Sequence, residues 1–297
     1  TANLWGSSAT LDFAGTQTLG ASPGQSATVD MVPFNSVLRV IDGGTLTLDE
    51  TVTVSGEGYV SGYGAGNTVV NEGLIHANHA SGYLRITSEN FTNTGTLRAS
   101  GGAGLALASA NFENQGAIEL LDESQLVTTG LGVAGLEIVT GATLGGLGTI
   151  IGNVTNTSGT VTPGNASGRL AIQGDFFQES GGALSIELAG GTPGTGYGFL
   201  DITGSAILDG VLSASFLGGF TPAEADTFVI LEADGGVSGV FDSIFDPGGN
   251  AWSISYEATQ VILTFDQAAI VPEPNTALLV GFGLVGLAMR RRTRGSA

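Results

Sequence analysis

The chain has 297 residues with 27 acidic and 8 basic side chains, which give a formal net charge of −19 at pH 7, and it contains no cysteine. A surface this acidic repels nucleic acid, so we expect no DNA or RNA partner, and the lack of cysteine excludes disulfide bonds. The 50 glycines would suit a disordered chain, but 42 % hydrophobic residues and only 8 prolines allow a large core.

Two features indicate an exported protein. Before residue 290 the chain carries 27 acidic residues against four arginines and no lysine, and dispersed carboxylates favour solubility outside the cell. The chain starts at Thr1 and no apolar segment follows directly. We therefore expect that a secretory signal peptide has already been removed.

Alternating apolar and polar residues dominate the chain before its C-terminal tail. The clearest segments are residues 46–54 (LTLDETVTV), 83–86 (YLRI), 105–108 (LALA), 184–188 (LSIEL) and 261–265 (VILTF). A period of two residues with β-branched and aromatic side chains, interrupted by Gly, Asn and Ser, predicts β-strands. This part of the sequence has no helical periodicity, so we predict an all-β fold.

A short motif recurs in the first half of the chain. Its copies are VVNEGLI (69–75), FTNTGTL (91–97) and FENQGAI (112–118), each with an asparagine followed two positions later by glycine. Asn71, Asn93 and Asn114 are 22 and 21 residues apart. Continuing with this spacing predicts a degenerate copy at residues 133–135 and a further copy at Asn156.

A second apolar row has the same period. It includes Leu84, Leu105 and Leu126, and we expect it to continue to Leu147 and Leu170. A fixed period of this length is typical of a solenoid, in which each unit buries its apolar side by stacking on its neighbours. We therefore predict a right-handed parallel β-helix with about 21 residues per coil and about seven or eight coils. An antiparallel β-sandwich is the alternative fold, because closely spaced short strands also suit it.

The repeated asparagines and glycines should occupy one corner of the coil. We expect Asn71, Asn93, Asn114 and Asn156 to stack there and to donate side-chain hydrogen bonds to the next coil. Asparagine tolerates a left-handed backbone, and the glycine two residues later should adopt a turn that is closed to residues with a Cβ atom.

The pattern divides the chain into four segments. We predict an N-terminal cap in residues 1–36, β-helical repeats in residues 37–215, a C-terminal β cap in residues 216–268 and a tail of different composition in residues 269–297. In the C-terminal cap, Asp226, Asp234 and acidic loops should present a polar face that prevents end-to-end stacking.

Loose spacings of Gly, Thr and aliphatic residues continue in the later part of the chain. They cover residues 145–188, 199–216 and 219–244, and they resemble the passenger-type β-helical repeats of autotransporters and related surface proteins. The resemblance implies a β-helix on the outside of the cell. It does not imply an autotransporter, because a short tail rather than a translocating barrel follows these segments.

Metal and cofactor chemistry has little support in the sequence. His76 and His79 are the only histidines, and without a third ligand we expect two solvated loop residues rather than a zinc site. Residues 246–250 (DPGGN) are expected to form a turn. We predict no cofactor and no specific metal site, with adventitious calcium on the acidic surface as an alternative.

Carbohydrate hydrolysis is the enzymatic alternative. Glycosidases need two carboxylates about 5 to 9 Å apart. The candidate carboxylates are Glu119, Asp122 and Glu123, or Asp201 and Asp209. Any acidic solenoid offers such pairs by accident, so we predict that the protein is not an enzyme.

Aromatic residues that could stack on sugars are few. Tyr59, Tyr63 and Tyr83 lie close in sequence, whereas Trp5 and Trp252 are isolated. The phenylalanines in the apolar rows, Phe91, Phe112 and Phe176, are expected to belong to the core. This distribution favours a scaffold over a sugar-processing cleft.

Residues 271–297, which we call the sorting tail, combine three unlike features. They begin with Pro272, Glu273 and Pro274, continue with the apolar run 276–289, and end with Arg290, Arg291, Arg292 and Arg294. An apolar run followed directly by arginines is typical of a membrane segment with a cytoplasmic flank. The 14 residues of the run would span roughly 21 Å as a helix, against a hydrocarbon core of ~30 Å, which suits a temporary anchor.

The sorting tail closely resembles the PEP-CTERM sorting signal of Gram-negative bacteria, which combines Pro-Glu-Pro, a hydrophobic helix and a terminal arginine cluster. The resemblance implies that an exosortase, a transpeptidase-like membrane enzyme, recognises Pro272, Glu273 and Pro274 and removes the tail outside the cytoplasm. It also implies transient insertion of residues 276–289 into the inner membrane as a transmembrane helix. The protein would then reach the cell surface or the extracellular matrix.

These features predict an exported structural or adhesive protein that is processed by an exosortase. An extracellular polysaccharide is a candidate partner. The alternative is a polysaccharide-degrading enzyme on the same β-helical scaffold. A groove with paired carboxylates and exposed aromatic residues would favour the enzyme, whereas a flank rich in Thr, Ser and Asn would favour the structural protein.

Overall fold

The fold is known from a computed structural model, which describes residues 2–4, 8–32, 35–80, 82–133, 135–164 and 167–267. Within these residues the chain forms 29 β-strands and one 3-10 turn at Thr129–Leu131, with no α-helix. The prediction of an all-β fold is therefore confirmed for the part of the chain that the structure describes. The predicted transmembrane helix at residues 276–289 lies outside the described residues.

The strands are short and follow one another closely. The first fourteen are β1 (Ala2–Leu4), β2 (Thr10–Leu19), β3 (Ala27–Met31), β4 (Val37–Leu48), β5 (Val52–Gly56), β6 (Gly58–Tyr63), β7 (Thr68–Asn71), β8 (Leu74–Ala77), β9 (Tyr83–Thr87), β10 (Asn90–Asn93), β11 (Thr96–Ala99), β12 (Gly104–Leu107), β13 (Asn111–Asn114) and β14 (Ala117–Val127). The remaining strands are β15 (Leu136–Ile138), β16 (Thr143–Ile151), β17 (Val154–Asn156), β18 (Thr160–Pro163), β19 (Gly168–Gln173), β20 (Phe176–Gln178), β21 (Ala183–Leu188), β22 (Gly198–Ile202), β23 (Ala206–Leu208), β24 (Val211–Phe216), β25 (Thr227–Ala233), β26 (Val237–Gly239), β27 (Ser243–Phe245), β28 (Ala251–Tyr256) and β29 (Gln260–Gln267).

Strand pairing arranges these elements in three stacks, and one passage of the chain through all three is a coil. Stack A contains β2, β4, β7, β10 and β13, then β15, β17, β20, β23 and β26. Stack B contains β1, β3, β5, β8, β11, β14, β16, β18, β21, β24 and β27. Stack C contains β2, β4, β6, β9, β12, β14, β16, β19, β22 and β25.

Every pairing within the three stacks is parallel, whereas an antiparallel sandwich would require the opposite throughout. Among the named strands that the structure describes, antiparallel pairing occurs only where β29 joins β25 and β28. The long parallel stacks are consistent with a β-helix or solenoid. Stack B has more strands than the predicted seven or eight coils, because β1, β3 and β27 lie outside the residues assigned to the repeats.

The inner row of stack C confirms most of the predicted apolar ladder. Leu84, Leu105 and Leu126 are in register on successive strands and are fully buried. The prediction that Leu147 continues this row is wrong, because the partner of Leu126 is the buried Ile150. An offset in register within β14 and β16 accounts for the shift of three positions.

The corner asparagines form the predicted ladder. Asn71, Asn93 and Asn114 are in register on adjacent coils and are at most 2 % exposed. Asn71 Nδ2 donates to Asn93 Oδ1 at 2.7 Å, and Asn93 Nδ2 donates to Asn114 Oδ1 at 2.7 Å. Each of these buried amides therefore links its coil to the next through a side-chain hydrogen bond.

The glycines of the motif are required for a different reason from the one predicted. The asparagines of the ladder, and the glycines two residues after them, are absent from the residues with a positive φ. At Gly95, an added Cβ atom would lie 2.2 Å from the carbonyl oxygen of Gly73 on the neighbouring coil. Glycine is needed there because the two backbones approach closely, and not because the turn is left-handed.

The last two predicted copies of the motif are only partly correct. The strand expected at residues 133–135 begins instead at Leu136, and Val133 is 93 % exposed. Asn156 belongs to stack A, but it is in register with Ile138, so it does not join the ladder of the first three asparagines. Its Nδ2 atom lies 3.3 Å from Gln178 Oε1, which makes a separate short pair.

The length of a coil varies along the chain. In stack B, the spacing between in-register partners ranges from 17 residues (Leu144 to Val161) to 32 residues (Leu212 to Ile244). The predicted 21-residue period is therefore a property of the coils that carry the asparagine ladder. Surface turns absorb the differences, since insertions in loops are tolerated far better than insertions in paired strands.

Aromatic side chains and an antiparallel hairpin close the C-terminal end of the described chain. Trp252 on β28 contacts Phe265 on β29, with ring centroids 5.0 Å apart, and Phe216 on β24, with centroids 5.5 Å apart. Phe220 and Phe228 complete the cluster, which packs against the core. Because β29 runs antiparallel to β25, the parallel stacking of stack C ends there.

Candidate functional site

The seven residues predicted to form the sorting signal lie outside the residues that the structure describes. They are Pro272, Glu273, Pro274, Arg290, Arg291, Arg292 and Arg294. Among the residues that are described, no helix is long and apolar enough to cross a membrane. Their proposed roles in sorting thus remain predictions from the sequence.

His76 is not a loop residue, which corrects the expectation from the sequence. It lies on β8 in stack B, half-buried and pointing outward, with Nε2 2.8 Å from Ser100 Oγ. Burial lowers the pKa of His76, and the neighbouring positive charge of Arg98 lowers it further. The histidine is therefore a neutral hydrogen-bonding side chain at neutral pH.

His79 lies apart from His76 and has a different partner. Its Nδ1 atom is 3.5 Å from Glu57 Oε2, and Glu57 is largely buried whereas the histidine is exposed. Within the described part of the chain, no group of three His, Cys, Asp or Glu side chains is placed to hold a metal ion. The geometry thus offers the two histidines structural contacts rather than a shared ligand.

The candidate carboxylates of the enzymatic alternative have structural partners. Glu119 pairs with Arg98 at 2.6 Å, and Asp201 pairs with Arg169. Asp122 Oδ2 accepts a hydrogen bond from the backbone N–H of Gly101 at 3.3 Å. Asp209 Oδ1 accepts one from its neighbour, Gly210, at 2.8 Å. These contacts account for the carboxylates without a catalytic pair.

A depression on stack B is the largest concave feature near any of these residues. It has a volume of about 580 Å³, and its lining includes Arg98, Glu119 and the small residues Gly145, Gly146 and Thr162. Glycines in place of side chains create the hollow. Glu119 is the one carboxylate in its lining and is paired with Arg98, so the two-carboxylate arrangement of a glycosidase is not formed there.

The three neighbouring tyrosines of the sequence do come together. Tyr59 and Tyr63 on β6 and Tyr83 on β9 all lie on stack C, where they contact Arg39 and Arg85. The sequence analysis missed the two arginines. The signal was available in the alternation, because both occupy outward positions between buried residues of their strands.

The phenylalanines assigned to the core are placed as expected, with one difference. Phe91 and Phe176 are fully buried. Phe91 and Phe112 stack with ring centroids 5.8 Å apart and an interplanar angle of 1°. Phe112 is only partly buried, because β13 and β15 belong to different sheets and stack A is interrupted there.

Comparison with known proteins bears on the sorting tail. No curated protein matches the chain. A family model described as the PEP-CTERM protein-sorting motif matches residues 271–292, which include the Pro-Glu-Pro motif, the apolar run and three of the four terminal arginines. The match supports the interpretation of the chain as an exosortase substrate, exported, transiently anchored in the membrane and then located at the cell surface.

Proposed function

We propose that the protein is a structural or adhesive component of the cell surface or extracellular matrix of a Gram-negative bacterium, and that it is not an enzyme. An exosortase sorts it and cleaves its tail after transient insertion of residues 276–289 into the inner membrane. The single observation that carries this proposal is the PEP-CTERM match at residues 271–292. The match coincides with a proline motif, an apolar run and an arginine cluster in the required order.

The body of the protein, in this proposal, is a right-handed parallel β-helix that acts as a scaffold. Three parallel stacks and a buried side-chain ladder support this interpretation, since such stacking distributes stability along the whole rod. The passenger-like repeats of residues 145–244 are consistent with display outside the cell. The enzymatic alternative has less support, because the carboxylates proposed for it are engaged in structural contacts.

Processing can be tested by intact-mass measurement of the protein released from a host that contains an exosortase. The released species should end near Pro272, before the apolar run. Changing Pro272, Glu273 and Pro274 to alanine should leave uncut protein in the membrane. Pro247→Ala, an exposed proline in the body, is the matched control and should be processed normally.

The terminal arginines provide a second arm of the same test. Replacing Arg290, Arg291 and Arg292 with glutamate should impair membrane retention before cleavage, because the cytoplasmic flank of a marginal anchor would lose its positive charge. A released species that still carries residues 287–297 would contradict the sorting-signal assignment and the localisation that depends on it.

A further inference from the structure

A cluster on the outer side of stack C combines three of the five tyrosines of the chain with two of its arginines. We call Arg39, Tyr59, Tyr63, Tyr83 and Arg85 the tyrosine–arginine patch. These residues lie on β4, β6 and β9, three successive strands of the stack, and Tyr59 is in register with Arg85. All alternate with inward residues along their strands, so the patch faces solvent.

Arg85 differs from the other arginines of the described body. Arg39, Arg98 and Arg169 each pair with a carboxylate, from Asp12, Glu119 and Asp201 respectively. Within the described residues, Arg85 takes part in no such ion pair. Its guanidinium carbon lies 5.5 Å from the ring centroid of Tyr59 and 5.1 Å from that of Tyr83. The two rings hold the side chain in place while its charge stays uncompensated by an acidic group.

Tyr83 is fixed along the surface of the stack. Its hydroxyl donates to Gln125 Oε1 at 2.7 Å, two coils away, and Gly104 lies in register between them. A Cβ atom at Gly104 would be 2.3 Å from the nearest carbon of the Tyr83 ring. The missing side chain thus allows the ring to lie over the intervening strand. The result is a preorganised aromatic surface rather than a mobile side chain.

Tyr63 extends the same surface at the other end. It is 68 % exposed, far more than the half-buried Tyr59 and Tyr83. The guanidinium carbon of Arg39 lies 5.3 Å from its ring centroid. The patch therefore offers aromatic rings on both sides of Arg85 and spans successive coils along the rod.

The chemistry of the patch fits an acidic polysaccharide. Tyrosine rings provide flat apolar area that can pack against the C–H faces of sugar rings, while their hydroxyls bond with sugar hydroxyls. A guanidinium matches the geometry of a carboxylate and binds it with two parallel hydrogen bonds. The open strand surface suits an extended polymer, whereas small molecules prefer concave pockets.

We propose that the tyrosine–arginine patch binds a polysaccharide with carboxylate-bearing sugars, with tyrosine rings against sugar faces and Arg85 paired with a sugar carboxylate. This inference rests on the proposed function, because the protein meets such a polymer only outside the cell. The net charge of −19 opposes approach of a polyanion at long range. At physiological ionic strength this repulsion is screened beyond about 8 Å, so the local contacts decide binding.

The test is retention of the full-length protein on native gels that contain sodium polygalacturonate, with dextran as the neutral polymer. Wild-type protein should be retarded by polygalacturonate and much less by dextran. Arg85→Gln should weaken binding to polygalacturonate by about tenfold or more, because a charge-assisted pair is lost. Tyr63→Ala should also weaken binding, and its high exposure means that folding should be unaffected.

Arg169→Gln is the matched control, since Arg169 lies on the same stack but pairs with Asp201, and it should bind like wild type. A urea melt of each variant should give the wild-type midpoint. If Arg85→Gln is destabilised, the result for Tyr63→Ala decides. Absence of retardation by either polymer would overturn the proposal, as would equal retardation by dextran or unchanged affinity in both patch variants.

The outcome is separable from that of the proposed function. Intact-mass measurement of the same wild-type protein reports tail processing and does not depend on polymer binding. Correct cleavage without retardation would overturn the patch proposal and leave the sorting proposal standing. Retardation by polygalacturonate together with an uncut tail would do the reverse.

Discussion

Replacing Leu107 with aspartate should unfold several coils and lower the free energy of unfolding by at least about 3 kcal/mol. Leu107 is 1 % exposed and lies on β12, in register with the buried Ile86 of the preceding coil. An unpaired carboxylate there would be transferred from water to the apolar row. Because each coil is stabilised by its neighbours, the loss should extend beyond β12. A urea melt measures the effect.

Ala106→Asp is the matched control for this prediction. Ala106 precedes Leu107 on the same strand but points outward, in register with Arg85. The same carboxylate should therefore cost little there, or even be favourable, because it faces solvent beside a positive charge. Thr96→Ser, another outward position, should be nearly silent. Equal urea midpoints for the Leu107 and Ala106 variants would show that the inward and outward sides are assigned wrongly.

The asparagine ladder was predictable because one motif recurs with little change in length. Asn71, Asn93 and Asn114 each occupy the last position of a short strand in stack A, at spacings of 22 and 21 residues. A repeat of this kind constrains both the register and the side of each strand. The sequence was therefore sufficient for the parallel order of these coils.

The later coils were harder to predict, because register there depends on turns rather than on a repeated motif. The expected strand at residues 133–135 starts at Leu136 instead, since the turn before it is longer. Likewise, Leu147 was preferred over Ile150 by counting residues, although an offset within β14 and β16 moves the pairing. Both residues are aliphatic, so composition could not distinguish them.

The surface features were missed for a related reason. The contact of Tyr83 with Gln125 depends on the absence of a side chain at Gly104, in register between them. Pairings of this type join residues 42 positions apart and become visible only when the register is known. The sorting tail is the opposite case, because its three features are contiguous in the sequence and were recognised without a structure.

Replacing Asn93 with aspartate should destabilise the protein by about 3 kcal/mol or more at neutral pH. Asn93 is 0 % exposed, its Oδ1 accepts from Asn71, and its Nδ2 donates to Asn114 Oδ1. The substitution conserves shape but replaces the donor with an oxygen, so two acceptors would face each other at 2.7 Å. The introduced charge would also be buried without a cationic partner.

The cost should depend on pH in a defined direction. In the folded protein the introduced carboxyl should hold its proton more tightly than in the unfolded chain, because only the protonated form can donate to Asn114. The unfolded state therefore binds fewer protons as pH rises above ~4, and stability relative to wild type falls with increasing pH. Below that pH both states are protonated and most of the lost stability should return.

Asn111→Asp separates burial from the loss of an amide in general. Asn111 lies on the same stack, and its Nδ2 also donates to an asparagine, Asn90 Oδ1, at 2.8 Å, but its side chain is exposed. Water can solvate a carboxylate there, so urea midpoints should stay close to wild type across the pH range. If the two variants lose stability equally, or if the Asn93 variant shows no recovery at low pH, the ladder does not couple the coils as its hydrogen bonds indicate.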